Sequence, residues 1–183
     1  GEVAKYALLG DEVLRGLLVD GGGGGGGLAN RDPAVLTAVV ELSVRAKARV
    51  VEADEREITG LRATLNYGHT LAHAIETVGG YDVLHGEAVS IGLVFASQLA
   101  VELARAEPSL VAEHASLLGG LGLPTRVPAA LAGADLLEVM RRDKKGRDHR
   151  RTFVLPGPSG FELVHDPDED AVVRALAVVG VER

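Results

Sequence analysis

The chain has no cysteine, so disulfides and thiolate chemistry are excluded, and any metal must be held by histidine and carboxylate. Tryptophan is absent too, and aromatics make up only 3% of the residues. The core must therefore be built from Leu, Val and Ala, which suits packed helices. Positive charge is in deficit: a net charge of −7 argues against a general nucleic-acid binder. A clean membrane span is missing. The most apolar stretch, Ala88 to Ala104, is interrupted by Ser90, Ser97, Gln98 and Glu102 and reads as a buried helix. No signal peptide is evident, which fits a cytoplasmic protein, and the chain opens on Gly1-Glu2 rather than Met, as expected of a segment cut from something longer. What remains is 183 residues, 46% hydrophobic and 25% charged, enough for one globular domain with its own core.

Helical periodicity dominates. Residues 2–18 read as helix with a possible interruption at Gly10. Seven glycines follow, Gly21 to Gly27. They satisfy G-x-G-x-x-G trivially, but no convincing strand precedes them, so the run reads as a flexible linker and not a dinucleotide loop. Asp32-Pro33 is a helix start, with a capping carboxylate followed by Pro. From Ala34 to Asp54 a stripe of Val35, Val39, Leu42 and Ala46 marks the buried face. Leu61 to Val78 is expected to form one helix, and others should run from His85 or Gly86 to about Ala104, from Pro108 to Gly119-Gly120, and from Ala134 to Arg142. Thr152–Leu155 and Phe161–His165 look like two short strands around the turn Pro156–Gly160. A helix from about Asp168 to Val179 closes the chain. The expected fold is mainly α, a helical bundle with one small β-hairpin.

The chemistry concentrates between Arg62 and Glu87, which hold three of the six histidines. His69 and His73 stand four apart, so both rings can project from one helical face. Their H-x-x-x-H is not the zinc-protease motif, because Thr70 stands where the general-base Glu would be. His85 follows a short loop at Gly79–Asp82 and can return beside His69. Arg62 and Asn66 precede His69 on the expected helix. Such a set can build either a metal site or an anion site. By spacing alone, His69 and His73 are the natural metal pair with His85 as a third ligand; the alternative is that they are packing residues. Glu76 and Glu87 are competing carboxylates, and Glu87 suits the first turn of its helix. Nothing in the spacing ties Glu2 to this stretch. Lys5 and Lys47 read as surface lysines. Asp143-Lys144-Lys145 is either a solvated loop or an anion clamp. His114, His149 and His165 have no partner pattern and read as surface or structural.

LNYGHTLAHAIE followed by LHGEAVSIGL closely resembles the signature of the 3-dehydroquinate synthases, in the sugar-phosphate cyclase superfamily. GEVAKYALLGD, KARVVEADEREITGLRATLNYGHT and RRDKKGRDHRRTFVLPGPSG match further family segments in family order. The resemblance implies the helical metal- and substrate-binding domain of a two-domain enzyme, spanning residues 1–183, with the NAD-binding domain expected upstream. It implies Glu2, His69 and His85 as ligands of a divalent metal, zinc or cobalt. Lys5, Lys47, Arg62, Asn66 and His73 match substrate-contact positions, and Lys144 and Lys145 match the family's D-K-K. The implied substrate is a seven-carbon keto-sugar acid phosphate. The implied chemistry is NAD oxidation of a metal-held hydroxyl, loss of phosphate, return of hydride, ring opening and an aldol closure. A homodimer without nucleic-acid or membrane partners is implied for the whole enzyme, and the 183 residues alone should be inactive. The glycine-filled region after Leu18 departs from the family, which has a longer helical stretch there.

Three other readings stay open. One is an aminodehydroquinate synthase or another sugar-phosphate cyclase. A second is a relative of the iron-dependent alcohol dehydrogenases, which should not need the Arg62 and Lys144-Lys145 anion contacts. The last is a helical domain that has lost catalysis and serves in binding.

Overall fold

A computed structural model of the chain describes residues 1–22, 28, 30–142 and 150–181. Its first helices are α1 (Glu2–Leu8) and α2 (Glu12–Gly22), separated at Gly10, whose φ of +107° no helix accommodates. The expected interruption is therefore real. The first two glycines of the run end α2; residues 23–27, the rest of the expected linker, lie outside the described residues. α3 (Pro33–Ala53) starts where the capping signal predicts: Asp32 Oδ1 accepts from the Ala34 and Val35 amides at 2.8 and 3.3 Å. Along its inner stripe Val39 and Ala46 are buried, and Val35 and Leu42 pack partly buried against the same core.

The expected single helix from Leu61 to Val78 is instead two pieces. A 3-10 helix, Arg62–Asn66, leads through Tyr67 and Gly68 into α4 (His69–Val78). The break is at Gly68, whose φ is +79°. Its cause is tertiary: Gly68 crosses α5 (His85–Glu102) so closely that a Cβ on Gly92 would lie 1.9 Å from the Gly68 carbonyl oxygen. An α-helix cannot pass through a left-handed residue, so α4 must begin afresh at His69.

α5 is apolar nearly all round, from Ala88 to Ala100, and is accordingly the buried centre. It touches α1, α4, α6 (Ser109–Gly120), α8 (Glu169–Val178) and β1 (Thr152–Gly157). α7 (Gly133–Arg142) lies against α4. β1 pairs antiparallel with β2 (Gly160–His165), Thr152 opposite His165 and Leu155 opposite Glu162. The turn is tighter than the sequence suggests: pairing continues to Gly157 and Gly160, leaving only Pro158-Ser159 between the strands. Thr70 Oγ1 donates to the Thr152 carbonyl at 3.2 Å and ties α4 to this hairpin. Asp168 caps α8 by accepting from the Ala171 amide. The result is a helical bundle with one small hairpin, and no described helix is long and apolar enough to cross a membrane.

His114 and Tyr67 form a buried pair that the sequence did not announce. His114 is 3% exposed and Tyr67 is fully enclosed. His114 Nδ1 lies 2.9 Å from the Leu110 carbonyl, which can only accept, so Nδ1 carries the hydrogen. Nε2 is then the acceptor for the Tyr67 hydroxyl, also at 2.9 Å. Burial holds the imidazole down to about 4, below its ordinary 6.5, despite the opposing Leu110 hydrogen bond. Between these values the unfolded chain binds a proton that the folded chain refuses. The contribution of His114 to stability is therefore fully present above pH 6.5 and falls by about 1.4 kcal/mol per pH unit as pH drops toward 4. Urea unfolding at pH 7 and pH 5 should show this loss. In His114→Gln, which keeps an acceptor for Tyr67, the difference between the two pH values should shrink.

Candidate metal centre

Two backbone crossings bring the polar groups together. Gly68 against Gly92 sets His69, the first residue of α4. Gly1 against Gly86 sets the other two: a Cβ on Gly1 would lie 1.8 Å from the Gly86 carbonyl oxygen, so Glu2 and His85 are neighbours across the contact. His69 Nε2 lies 3.2 Å from Glu2 Oε1, and His85 Nε2 lies 3.9 Å from the same oxygen. One donor atom from each of Glu2, His69 and His85 falls within 4.8 Å of the others. Tetrahedral zinc with ligands at 2.0–2.2 Å needs donor atoms about 3.4 Å apart, so the set needs only small side-chain shifts to close on an ion.

The ring orientations suit that purpose. His69 Nδ1 lies 3.1 Å from the Tyr67 carbonyl and must donate to it, which leaves Nε2 as the lone-pair nitrogen of the neutral ring. Two acceptors, Nε2 and a carboxylate oxygen, then face each other at 3.2 Å, an arrangement that calls for a proton or a cation between them. Burial acts to raise the Glu2 carboxyl, but with a proton on Nε2 the His69 hydrogen bond and the Lys5 ammonium outweigh it and bring it down to about 2.

Lys5 is the largest departure from the sequence reading. It is 2% exposed, not a surface lysine. Its ammonium donates to both Glu2 oxygens, at 3.1 and 3.0 Å, and to the Leu65 carbonyl at 2.6 Å. Burial pushes it below its ordinary value and Lys47 adds to this, while Glu2 opposes both. Such a lysine is possible only because carboxylate and carbonyl replace its water.

Glu2, Lys5, Lys47, Arg62, Asn66 and His69 line one cavity of about 470 Å³, with Asp54, Glu57 and Leu163 among its other walls. Arg62 and Asn66 reach it from the 3-10 helix, not from the helical face of His69 on which the sequence placed them. Asp54 explains how. Its buried carboxylate accepts from the Ile58 and Thr59 amides at 2.8 and 3.0 Å and from the Arg62 amide at 3.1 Å. The Thr59 and Arg62 bonds lead in holding it down to about 2. Arg62 itself is held by Glu57 at 3.1 Å and by the Glu55 carbonyl at 3.2 Å.

His73 stands apart from that cavity. Its ring centroid is 5.5 Å from His69 and 6.5 Å from His85, but it lines a separate hollow of about 330 Å³ with Thr70, Thr77, Met140 and Arg142. Lys144, Lys145 and His149 lie outside the described residues. Of the two readings left open, surface or structural, His114 takes the buried, structural one, and His165 is exposed on the hairpin with Nδ1 2.9 Å from Thr152 Oγ1. Glu87 accepts from the Leu84 amide at the start of α5, the structural part foreseen for it.

The 3-dehydroquinate synthase C-terminal family matches residues 1–146. The chain belongs to that family. A 3-dehydroquinate synthase of Geobacter metallireducens is 46% identical over 181 residues, 98% of this chain and 49% of the relative. A protein of Amycolatopsis mediterranei named for aminodehydroquinate synthesis is 47% identical over 137 residues, 75% of this chain and 38% of its own length. The solved 2-epi-5-epi-valiolone synthase of Streptomyces hygroscopicus, with NAD+ and Zn2+ bound, superposes with a TM-score of 0.80 at 23% identity. That superposition covers 97% of this chain and 49% of the synthase, and it shows the shared helical fold. The chain spans about half the length of the curated relatives it matches.

Sequence reasoning missed Asp54, whose signal was an acidic residue opening a charged break, and it named Glu76 only as a competing carboxylate, without its contact to His85. It also missed the glycine crossings, which pairwise spacing cannot reveal. Gly92→Ala should cost about 1–3 kcal/mol by overpacking and should displace His69. Gly16→Ala, inside α2 with open space around its Cβ, should be neutral to stabilising. Urea midpoints for the two variants check the contrast.

Proposed function

We propose that this chain is the metal- and substrate-binding part of a 3-dehydroquinate synthase, which converts 3-deoxy-D-arabino-heptulosonate 7-phosphate to 3-dehydroquinate and phosphate in the shikimate pathway. The observation that carries the reading is one cavity lined by the Glu2–His69 pair together with Lys5, Lys47, Arg62 and Asn66. Membership of the 3-dehydroquinate synthase family supports it.

In this reading Glu2, His69 and His85 hold a divalent metal, zinc or cobalt. Two neutral imidazole nitrogens and a carboxylate oxygen are a sound donor set, and they leave positions free for substrate oxygens. When bound, the metal supplies Lewis-acid stabilisation of a developing alkoxide and carbonyl. NAD is held mainly by the part of the enzyme outside these residues. The described start of the glycine run, Gly21-Gly22, lies inside α2 and not after a strand.

The chain's own residues bind and orient. Lys5, Lys47 and Arg62 are the cations for substrate carboxylate and phosphate, and Arg62 exchanges its Glu57 partner for the ligand. Asn66 hydrogen-bonds a ring hydroxyl from the cavity wall. His73 acts on the substrate from the hollow on the far side of His69, and His73 and Lys144 or Lys145 polarise it or relay protons. Aminodehydroquinate synthesis is the second reading, favoured by the 47% identity to the Amycolatopsis protein.

In the full-length enzyme, His69→Ala should abolish metal binding, whereas His73→Ala should leave metal bound and lower turnover. Equal loss of metal from both would restore the His69–His73 pair as the ligands. Phosphate release from the heptulosonate phosphate, compared with its amino analogue, separates the two substrate readings. The isolated 183 residues should release no phosphate from either compound.

A further inference from the structure

Glu76 has no part in the ligand set, yet its position is costly. It sits in the last turn of α4, where the helix dipole disfavours a negative charge, and that turn carries no basic residue. Its side chain is 14% exposed, so water screens it poorly. What it faces is His85: Glu76 Oε1 lies 3.0 Å from His85 Nδ1. The carboxylate can only accept, so Nδ1 carries the hydrogen. In the neutral ring the lone pair then falls on Nε2, the nitrogen directed at Glu2 Oε1 at 3.9 Å. His85 is 46% exposed at the start of α5, with the His69 and His73 rings 5.5 and 6.5 Å away, so packing alone leaves its ring room to turn.

We infer that Glu76 is a positioning residue that fixes His85 in the Nδ1–H tautomer, with Nε2 presented to the metal. The inference rests on Glu2, His69 and His85 being the metal ligands. It gives the two histidines different supports. His69 is oriented by a neutral main-chain carbonyl at Tyr67, and His85 by an ionised carboxylate that also makes its Nε2 a stronger donor. The charge at the end of α4 is thereby accounted for, since the position gives up local helix stability in return for a fixed ring.

The test uses the 183-residue chain, zinc-free, with wild type, Glu76→Gln and Glu76→Ala compared. Glutamine keeps an oxygen that can accept from Nδ1, and alanine does not. Long-range proton–nitrogen NMR of the His85 ring should report the Nδ1–H tautomer in wild type and Glu76→Gln. In Glu76→Ala it should shift toward Nε2–H, with backbone amide spectra confirming that the fold is kept. Zinc titration should then show affinity about 10–100-fold weaker for Glu76→Ala, with Glu76→Gln closer to wild type. An unchanged tautomer in Glu76→Ala, or unchanged zinc affinity, overturns the inference. A wild-type chain that binds no zinc would instead overturn the ligand assignment, while the tautomer comparison would still decide whether Glu76 orients His85.

Discussion

The close crossing of α4 and α5 is the constraint on which the site depends. Gly68 and Gly92 let two backbones meet at a distance that no side chain permits, and Gly1 and Gly86 repeat the device at the start of α5. Each contact has a candidate ligand as its chain neighbour: His69 after Gly68, Glu2 after Gly1, His85 before Gly86. The three donor groups are thus placed by main chain, which is stiff, and only finished by side-chain rotation. Main-chain placement suits a site that must present charged groups together without collapsing onto water.

Around this frame the polar groups are satisfied in sequence. Tyr67 joins two of the systems. Its carbonyl orients His69, and its hydroxyl is locked by His114 from α6. Asp54 shapes the loop that carries Arg62 through three amide hydrogen bonds. Lys5 bridges Glu2 and the Leu65 carbonyl, joining α1 to the 3-10 helix. Each group meets its cost of burial with a partner that also fixes geometry.

Local signals in the sequence were legible where local physics decides. The Asp32-Pro33 cap, the Gly10 break, the hairpin and the largely apolar α5 are set by residues close to one another in the chain, and each is found in the expected stretch, the hairpin with a tighter turn. Tyr67-Gly68 was not legible, because an uninterrupted helical period runs straight through it and only the approach of α5 breaks it. The burial of Lys5 failed to show for a related reason: periodicity places a lysine on a helix but says nothing about which partner waits there. Glu2 was tied to the histidines by family resemblance alone, and the Gly1–Gly86 contact supplies the physical reason for that tie.

The cavity also has a charge balance that the overall composition hides. Its walls carry three carboxylates, Glu2, Asp54 and Glu57, against three cations, Lys5, Lys47 and Arg62. By count it is electroneutral inside a chain of net charge −7. A divalent ion on the histidines would leave the hollow with an excess of two positive charges. An electroneutral hollow gives a multiply charged anion little reason to leave water; one with that excess does. In this charge balance a divalent cation and a multiply charged anion would each favour the binding of the other.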